Sequence, residues 1–246
     1  MSNDGVAQDS SDYRDVYPSG LELQGGGGFL ALRDDHISNE KYSGSSSCFG
    51  LHWSKFHESF GYRIGMSFQK ASGIKNHNVS AEVVIGSFDL VYQYPIGTFS
   101  LFSKKAWASL GPGTEILFLT RNQNIARNPS SEQDVYQSGA WLFSLGIRGD
   151  VILPITEIFR TESSLQFSLV SLGGGSGGIS KITETMKWLT IFSALHTCAE
   201  IGVRYFPVKW FSIKAGYAFD VIRIDSWNYL IAGIDKISLS IGYHPF

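Results

Sequence analysis

The sequence contains no long apolar run. No stretch approaches the roughly 18 consecutive apolar residues that a membrane-spanning helix needs, which excludes a bundle of transmembrane helices. It also has no excess of one charge: 20 Lys and Arg face 22 Asp and Glu, which argues against a nucleic-acid-binding protein. Two cysteines, Cys48 and Cys198, are too few for a disulfide framework, so we expect separate thiols, with one disulfide as the alternative.

Alternating apolar and polar side chains are conspicuous between Ala140 and Leu172. Successive side chains of a β-strand point to opposite faces, so this stretch predicts two strands, each with one apolar and one polar face. A turn at Pro154–Phe159 separates them. The apolar positions are Trp141, Phe143, Leu145, Ile147, Val151, Leu153, Leu165, Phe167 and Leu169.

Similar alternation along the rest of the chain predicts about ten strands, with roughly 8 to 12 possible, and polar loops that alternate with short turns. Asp34–Ser47 is predicted as an exposed loop, whereas Ile96–Lys105 is either a turn or a strand extension. Glu82 and Asp89 differ in parity, which predicts a bulge near Gly86 or a strand end beyond the membrane. Outside 140–172, the predicted strands are 21–33, 48–56, 60–71, 81–94, 106–121, 188–207, 211–224 and 229–243.

The tryptophans divide between the two ends of these strands. A soluble sandwich also alternates, but it has no reason to sort its tryptophans in this way. We therefore predict an aromatic girdle at each membrane interface. Trp53, Trp107 and Trp210 lie on the turn side, and Trp141, Trp188 and Trp227 lie on the loop side.

The predicted fold is all-β: a closed antiparallel up-and-down transmembrane β-barrel over residues 20–246, with both of its ends on the periplasmic, short-turn side. Residues 1–19 are polar and aperiodic, and are predicted to form a flexible periplasmic tail. Met1–Asp15 lacks the apolar core of a signal peptide. Because such a barrel must be exported, we expect that a signal peptide was removed.

This architecture resembles the small bacterial outer-membrane β-barrel proteins over about Leu21–Phe246. Such proteins usually end in an amphipathic strand with a terminal aromatic residue, and here the final alternation closes on Tyr243 and Phe246. Pro245 departs from the usual pattern, so the last residues are expected to lie outside the final strand. The resemblance implies residence in the outer membrane, in contact with its lipid and lipopolysaccharide.

The predicted inward face carries charges of both signs, which we interpret as a buried salt-bridge network that fills a narrow lumen. A conducting pore for small solutes is the alternative, although about ten strands enclose little more than their own side chains. The predicted network consists of Arg63, Asp89, Glu115, Arg148, Asp150, Arg160, Glu162, Glu200, Arg204, Lys214 and Asp220.

Two weak catalytic patterns are present. His52 and Ser54 resemble the His-x-Ser of outer-membrane lipid A deacylases, but the acidic partner of that family is missing. Asp34, Asp35 and His36 provide the residue types of omptin-type proteases, but on a single loop. The histidines have no metal-ligand spacing. We therefore expect no catalytic residues, no metal and no cofactor.

The leading hypothesis is a non-enzymatic barrel that acts as a membrane anchor, a scaffold or a subunit of an envelope assembly. Its long loops, Asn122–Gln137 and Gly173–Lys187, are predicted extracellular binding elements for other envelope proteins. A small-solute channel and a lipid- or peptide-hydrolysing barrel enzyme are the alternatives. No nucleic-acid partner is expected.

Overall fold

A computed structural model of the chain describes residues 16–17, 19–34, 38–57, 59–76, 79–124, 137–176, 187–225 and 229–245. Within these ranges no helix is both long and apolar enough to cross a membrane. The described strands are β1 (Gly20–Asp34), β2 (Ser38–Phe56), β3 (Gly61–Asn76), β4 (Val79–Leu101), β5 (Lys104–Asn124), β6 (Gln137–Pro154), β7 (Phe159–Ser176), β8 (Lys187–Thr190), β9 (Ala194–Val208), β10 (Phe211–Asp225) and β11 (Tyr229–Tyr243).

The strands form one closed antiparallel barrel. Each strand pairs with its neighbours in the chain except that β9 pairs with β7 and not with β8, and β1 pairs with β11 to close the circle. β8 and β9 together occupy one strand position beside β7. β8 pairs with the loop-side part of β7, Val170–Gly173, and β9 pairs with its turn-side part, Phe159–Phe167. The barrel therefore has ten strand positions, as predicted. The predicted eighth strand is interrupted by a turn at residues 191–193.

The register of the barrel fixes its width. We start at Phe56 of β2 and move from each residue to its paired residue on the next strand. After one full circle this path returns to β2 at Gly44, an offset of 12 residues. Ten strands with this offset tilt by about 40° and enclose a lumen that side chains can fill. Leu21 pairs with Tyr243, so the barrel begins and ends at the same rim.

The structure overturns one local expectation and decides between the alternatives for two others. The predicted loop Asp34–Ser47 was wrong, because β2 already begins at Ser38 and pairs with β1. The segment Ile96–Lys105 extends both β4 and β5, which meet in a tight turn whose central residues, Phe102 and Ser103, have positive φ.

Of the two alternatives for the parity of Glu82 and Asp89, the bulge near Gly86 is absent, since β3 and β4 pair without a shift around that residue. Glu82 instead points outward, where it forms an ion pair with Lys70 at 2.9 Å. Glu82 and Asp89 differ in parity because they lie on opposite faces of β4. Near the loops the inward positions of this strand hold apolar residues, and the charged residue lies on the outer face.

The exterior of the barrel is apolar over its full circumference. Large side chains such as Phe49, Phe88, Phe143, Leu165 and Leu239 are exposed on strands spread around the barrel. Near the turn side, tyrosines and tryptophans join them, and Trp53 packs edge-on against Tyr62. Such an apolar outer surface is the one that membrane barrels present to lipid.

The interior has two layers. Toward the loops it is filled by an apolar cluster, here called the aliphatic plug. The second layer, toward the turns, carries paired charges and is called the ionic layer. The plug comprises Leu30, Leu32, Tyr42, Ala71, Ile74, Ala81, Val83, Ile85, Leu117, Leu119, Ala140, Leu142, Leu189, Ala194, Ile222, Ile224, Leu230, Ala232 and Ile234.

Candidate functional site: the lumen

The ionic layer is organised around Arg204 of β9. Its guanidinium group donates to Glu162 of β7 at 2.6 Å and to Glu22 of β1 at 2.6 Å. Lys214 of β10 lies 3.3 Å from Glu162 and 2.7 Å from Glu200. Five charges from four strands thus form one continuous chain across the lumen. Each is buried or half-buried, so each depends on its partners for the stabilisation that water would otherwise provide.

A second group of polar side chains lies on the opposite wall. The Arg148 Nε donates to Asp150 at 3.1 Å, and Gln93 donates to the other carboxylate oxygen of Asp150. The Arg63 Nη2 donates to the His52 Nδ1 at 3.0 Å. Because an arginine can only donate, that ring nitrogen of His52 is an acceptor, and the imidazole is neutral.

Two further pairs lie between the ionic layer and the aliphatic plug. Lys236 of β11 donates to Asp220 of β10 at 2.7 Å. The Nδ1 of His196 lies 2.5 Å from Glu115, although the two residues are 81 positions apart in the chain. These pairs are the last charged groups along the lumen before the plug begins.

The structure places the predicted charged residues on the inner face, but it does not bring them all into one network. Asp89 is buried with no ion pair among the described residues. Arg160 lies at the turn-side mouth, where it donates to the Val16 carbonyl and stacks on the Phe206 ring at 4.0 Å.

Sequence reasoning missed two members of the network, Glu22 and Lys236. The alternation of the sequence identifies both as inward residues. Glu22 lies between the outward Leu21 and Leu23, and Lys236 is adjacent to the outward Ile237.

Glycines on the inner face make room for these long side chains. A Cβ atom at Gly202 would lie 2.8 Å from the Lys214 Cε. A Cβ atom at Gly65 would lie 2.2 Å from an Asp89 oxygen and 2.8 Å from the His52 Nδ1. Substitution at either position would therefore displace a charged group.

Two small polar cavities remain between the charges. The first, of about 100 Å³, lies near the turns and is bordered by Glu22, Ser54 and Glu162. The second, of about 90 Å³, lies deeper and is bordered by Asp89, His196 and Cys198. Each is large enough to hold several water molecules. The deeper cavity reaches the plug, since Ile85, Leu117, Ile222 and Ile234 form part of its lining.

The N-terminal segment packs against the turn-side mouth. Tyr17 contacts Phe56 with a ring separation of 5.1 Å, and the Ser19 hydroxyl accepts a hydrogen bond from the Phe56 amide. Val16 and Tyr17 also pack against Trp107 and Ile152. The described end of the predicted tail is therefore part of the barrel's closure; residues 1–15 lie outside the described residues.

The interface position predicted for Trp107 was wrong. This residue is only 8% exposed and points into the lumen, because it shares the inward parity of β5 with Glu115. Trp53 and Trp210 are exposed on the outer face near the turns. Trp141 is half-exposed on the outer face, and Trp188 is exposed on β8. Trp227 lies outside the described residues.

The candidate catalytic patterns acquire no supporting geometry. His52 is held between Arg63 and Gln24 inside the lumen, and Ser54 borders the first cavity. Asp35 and His36 lie outside the described residues, as does the side chain of Asp34. Within the described ranges, no group of three or more His, Cys, Asp or Glu is arranged to hold a metal ion. Cys48 and Cys198 are free thiols.

A closed antiparallel barrel with an apolar exterior and a polar lumen is the architecture of bacterial outer-membrane proteins. The protein is an integral outer-membrane β-barrel of Gram-negative type. No protein-family model matches the sequence, and no curated protein sequence matches it.

Comparison with one solved structure supports this fold. The outer membrane protease OmpT from Escherichia coli superimposes with a TM-score of 0.52 at 6% identity, over 93% of this chain and 97% of OmpT. The translocator domain of the autotransporter NalP from Neisseria meningitidis aligns with a TM-score of 0.44 at 11% identity, over 96% of this chain and 92% of that domain. At such identities the OmpT likeness concerns the fold alone.

Proposed function

We propose that this protein is a non-conducting, non-enzymatic barrel that serves as an anchor or scaffold for an envelope assembly. The observation that carries the proposal is the aliphatic plug. Leu30, Leu119, Leu142 and Ile222 meet across the loop half of the lumen and are almost fully buried. A water-filled path needs polar walls, and apart from Tyr42 the plug residues have purely apolar side chains.

The ionic layer supports the same conclusion. Its principal charges bind one another, so it presents no one-signed surface that would attract a solute. Catalysis needs a nucleophile or an activated water, a base and an oxyanion donor converging on one point. The proposal assigns none of these roles to the described lumen residues. Function is thus assigned to the surfaces that face lipid and the extracellular medium.

The partners that fit this proposal are outer-membrane lipid, lipopolysaccharide and other envelope proteins. The connections 125–136 and 177–186, which belong to the predicted binding loops, lie outside the described residues. We expect that shortening either connection impairs the assembly function while the barrel still folds.

Planar-bilayer recording of the purified barrel tests the proposal. We expect no stepwise ion conductance, and none after removal of residues 1–17, because that removal opens the turn-side mouth but leaves the plug in place. As a positive control, Leu119→Ser combined with Leu142→Ser should introduce conductance. Stable single-channel steps in the unmodified barrel would overturn the proposal.

Hydrolysis assays test the enzymatic alternative. His52→Ala is expected to fold, since it removes one hydrogen-bond partner of Arg63 but no ion pair. We expect no hydrolysis of lipopolysaccharide or peptides by either form. A hydrolytic activity that His52→Ala or Asp35→Asn abolishes in a folded barrel would establish an enzyme instead.

A further inference from the structure

Two exposed lysines at the loop-side end of the barrel have no acidic partner. Lys41 of β2 and Lys75 of β3 are exposed, and neither takes part in an ion pair among the described residues. Their chain neighbours Tyr42 and Ile74 belong to the aliphatic plug, so both lysines lie on the outer face. Lys75 pairs with Ser43, two residues from Lys41. Two positive charges therefore lie close together on the outer wall.

Arg33 of β1 extends this cationic surface. It pairs with Lys41 across the two strands, and it is exposed on the same face, since its neighbour Leu32 belongs to the plug. Arg33, Lys41 and Lys75 are here called the basic patch. Adjacent strands lie about 4.8 Å apart, so the patch is about 10 Å wide. Like charges on facing strands repel one another, and a bound anion relieves that repulsion.

Other outward cations near the loops have partners within the chain. Lys70 forms an ion pair with Glu82 at 2.9 Å, and Arg223 forms one with Asp225 at 2.9 Å. The lysines of the basic patch differ from these, because no carboxylate of the described chain balances them. Their counter-charge must therefore come from the surroundings of the barrel.

The level of the basic patch follows from the strand tilt. The outward residues of β1 from Leu21 to Ala31 carry no charge, and at a tilt of about 40° this span covers about 25 Å of the barrel axis. That is the height of the apolar band of outer-membrane barrels, so Arg33 lies just beyond it. Each register step between strands changes the level by about 3 Å at this tilt, which places Arg33, Lys41 and Lys75 within about 3 Å of one level. The patch is thus at the headgroup level of the leaflet on the loop side.

We propose that the basic patch binds the phosphate groups of lipopolysaccharide. The loops of an outer-membrane barrel face the outer leaflet, where lipid A carries a phosphate group at each end of its sugar backbone. Phosphate oxygens accept charge-assisted hydrogen bonds from Lys and Arg. Ser43 and Ser45 continue the outward face of β2 below Lys41, where their hydroxyls can donate to the sugar and to the ester carbonyls of the acyl chains. This inference rests on the proposed function, which includes lipopolysaccharide among the partners, and it assigns that contact to one site on the wall.

Binding of purified lipid A to the folded barrel tests the site. Native mass spectrometry in detergent measures the retained lipid, and EDTA in the buffer excludes bridging by divalent cations. We expect bisphosphorylated lipid A to bind about tenfold or more tightly than the same lipid freed of both phosphates. Each Lys or Arg beside an anionic lipid surface contributes about fivefold in affinity, and the patch holds three such residues.

A matched pair of variants tests the residues. Lys41→Gln combined with Lys75→Gln should lower the affinity for bisphosphorylated lipid A by about tenfold or more and leave the affinity for the phosphate-free lipid as it is. Lys55→Gln combined with Lys104→Gln removes two exposed lysines at the turn-side end and should change neither affinity. Heat-modifiable migration in gels establishes that each barrel is folded.

Three outcomes would overturn the site: equal binding of phosphorylated and phosphate-free lipid A, an unchanged affinity when Lys41 and Lys75 are replaced, or equal competition by phosphatidylglycerol. The basic patch lies outside the lumen, so these substitutions leave bilayer conductance as it is in the unmodified barrel. The lipopolysaccharide site and the non-conducting scaffold can therefore fail independently.

Discussion

The two layers of the lumen solve the same packing problem with opposite chemistry. In the aliphatic plug, residues such as Leu32, Leu119 and Ile224 fill the space by shape alone. In the ionic layer, Arg204 and Lys214 fill it with long side chains whose charges are matched by three carboxylates. The ionic layer retains two small polar cavities, and the deeper one also borders the plug residues Leu117 and Ile222.

This contrast shows where the barrel is robust and where it is fragile. Apolar contacts are non-directional, so a lost methyl group costs only its own contacts and a cavity. A buried charge whose partner is removed keeps its whole desolvation cost. We therefore expect single substitutions in the ionic layer to have the larger effects.

The largest effect is expected for Arg204→Ala. It leaves Glu22 and Glu162 without their shared partner, and an uncompensated buried charge costs about 3–5 kcal/mol of the free energy of unfolding. Urea unfolding of the barrel in detergent or liposomes measures this loss. The triple variant Glu22→Gln, Glu162→Gln, Arg204→Met removes all three charges together and should recover most of the stability. An unchanged unfolding midpoint for Arg204→Ala would mean that the ionic layer is fully solvated.

A smaller loss is expected for Leu119→Ala in the plug. Leu119 is almost fully buried, so the truncation should cost about 3 kcal/mol, through lost apolar contacts and the cavity that remains. The matched control is Leu110→Ala on the same strand, because Leu110 faces lipid and acyl chains can fill the space. Equal losses for the two variants in the same unfolding assay would contradict a dry, well-packed plug.

The smallest effect concerns His244, which follows β11 at the turn-side end of the ionic layer. Its Nε2 lies 2.8 Å from the Ser212 hydroxyl, which Arg204 also contacts. Burial, reinforced by the positive charge of Arg204, lowers the pKa of His244 below its ordinary value of 6.5. The unfolded chain therefore binds a proton more readily than the folded barrel, and stability should fall as the pH drops below that value.

Unfolding measurements at about pH 7.5 and about pH 5.5 follow this effect. His244→Gln removes the titrating group, so its stability should depend less on pH over that interval. If the unmodified protein and His244→Gln showed the same dependence of stability on pH, His244 would not contribute to that dependence.

The sequence by itself determined the class of fold. The period-two pattern of Trp141, Phe143 and Leu145 is a local property of an extended chain, because alternate side chains must face opposite sides. The last strand was predicted with the same bounds that the structure gives, Tyr229–Tyr243. Arg148 and Asp150 were assigned to the lumen face by parity alone, and both lie there, 3.1 Å apart.

Tertiary structure alone decided which charges meet and where the lumen becomes dry. Arg204 and Glu22 are 182 residues apart in the chain, and they touch only because the first and last strands close the circle. The plug escaped prediction because Val83, Val84 and Ile85 are apolar on both faces, so local alternation does not separate a lipid-facing side chain from a lumen-filling one. The strand offset and the packing across the barrel make that distinction, since they set which inward residues share one level of the lumen.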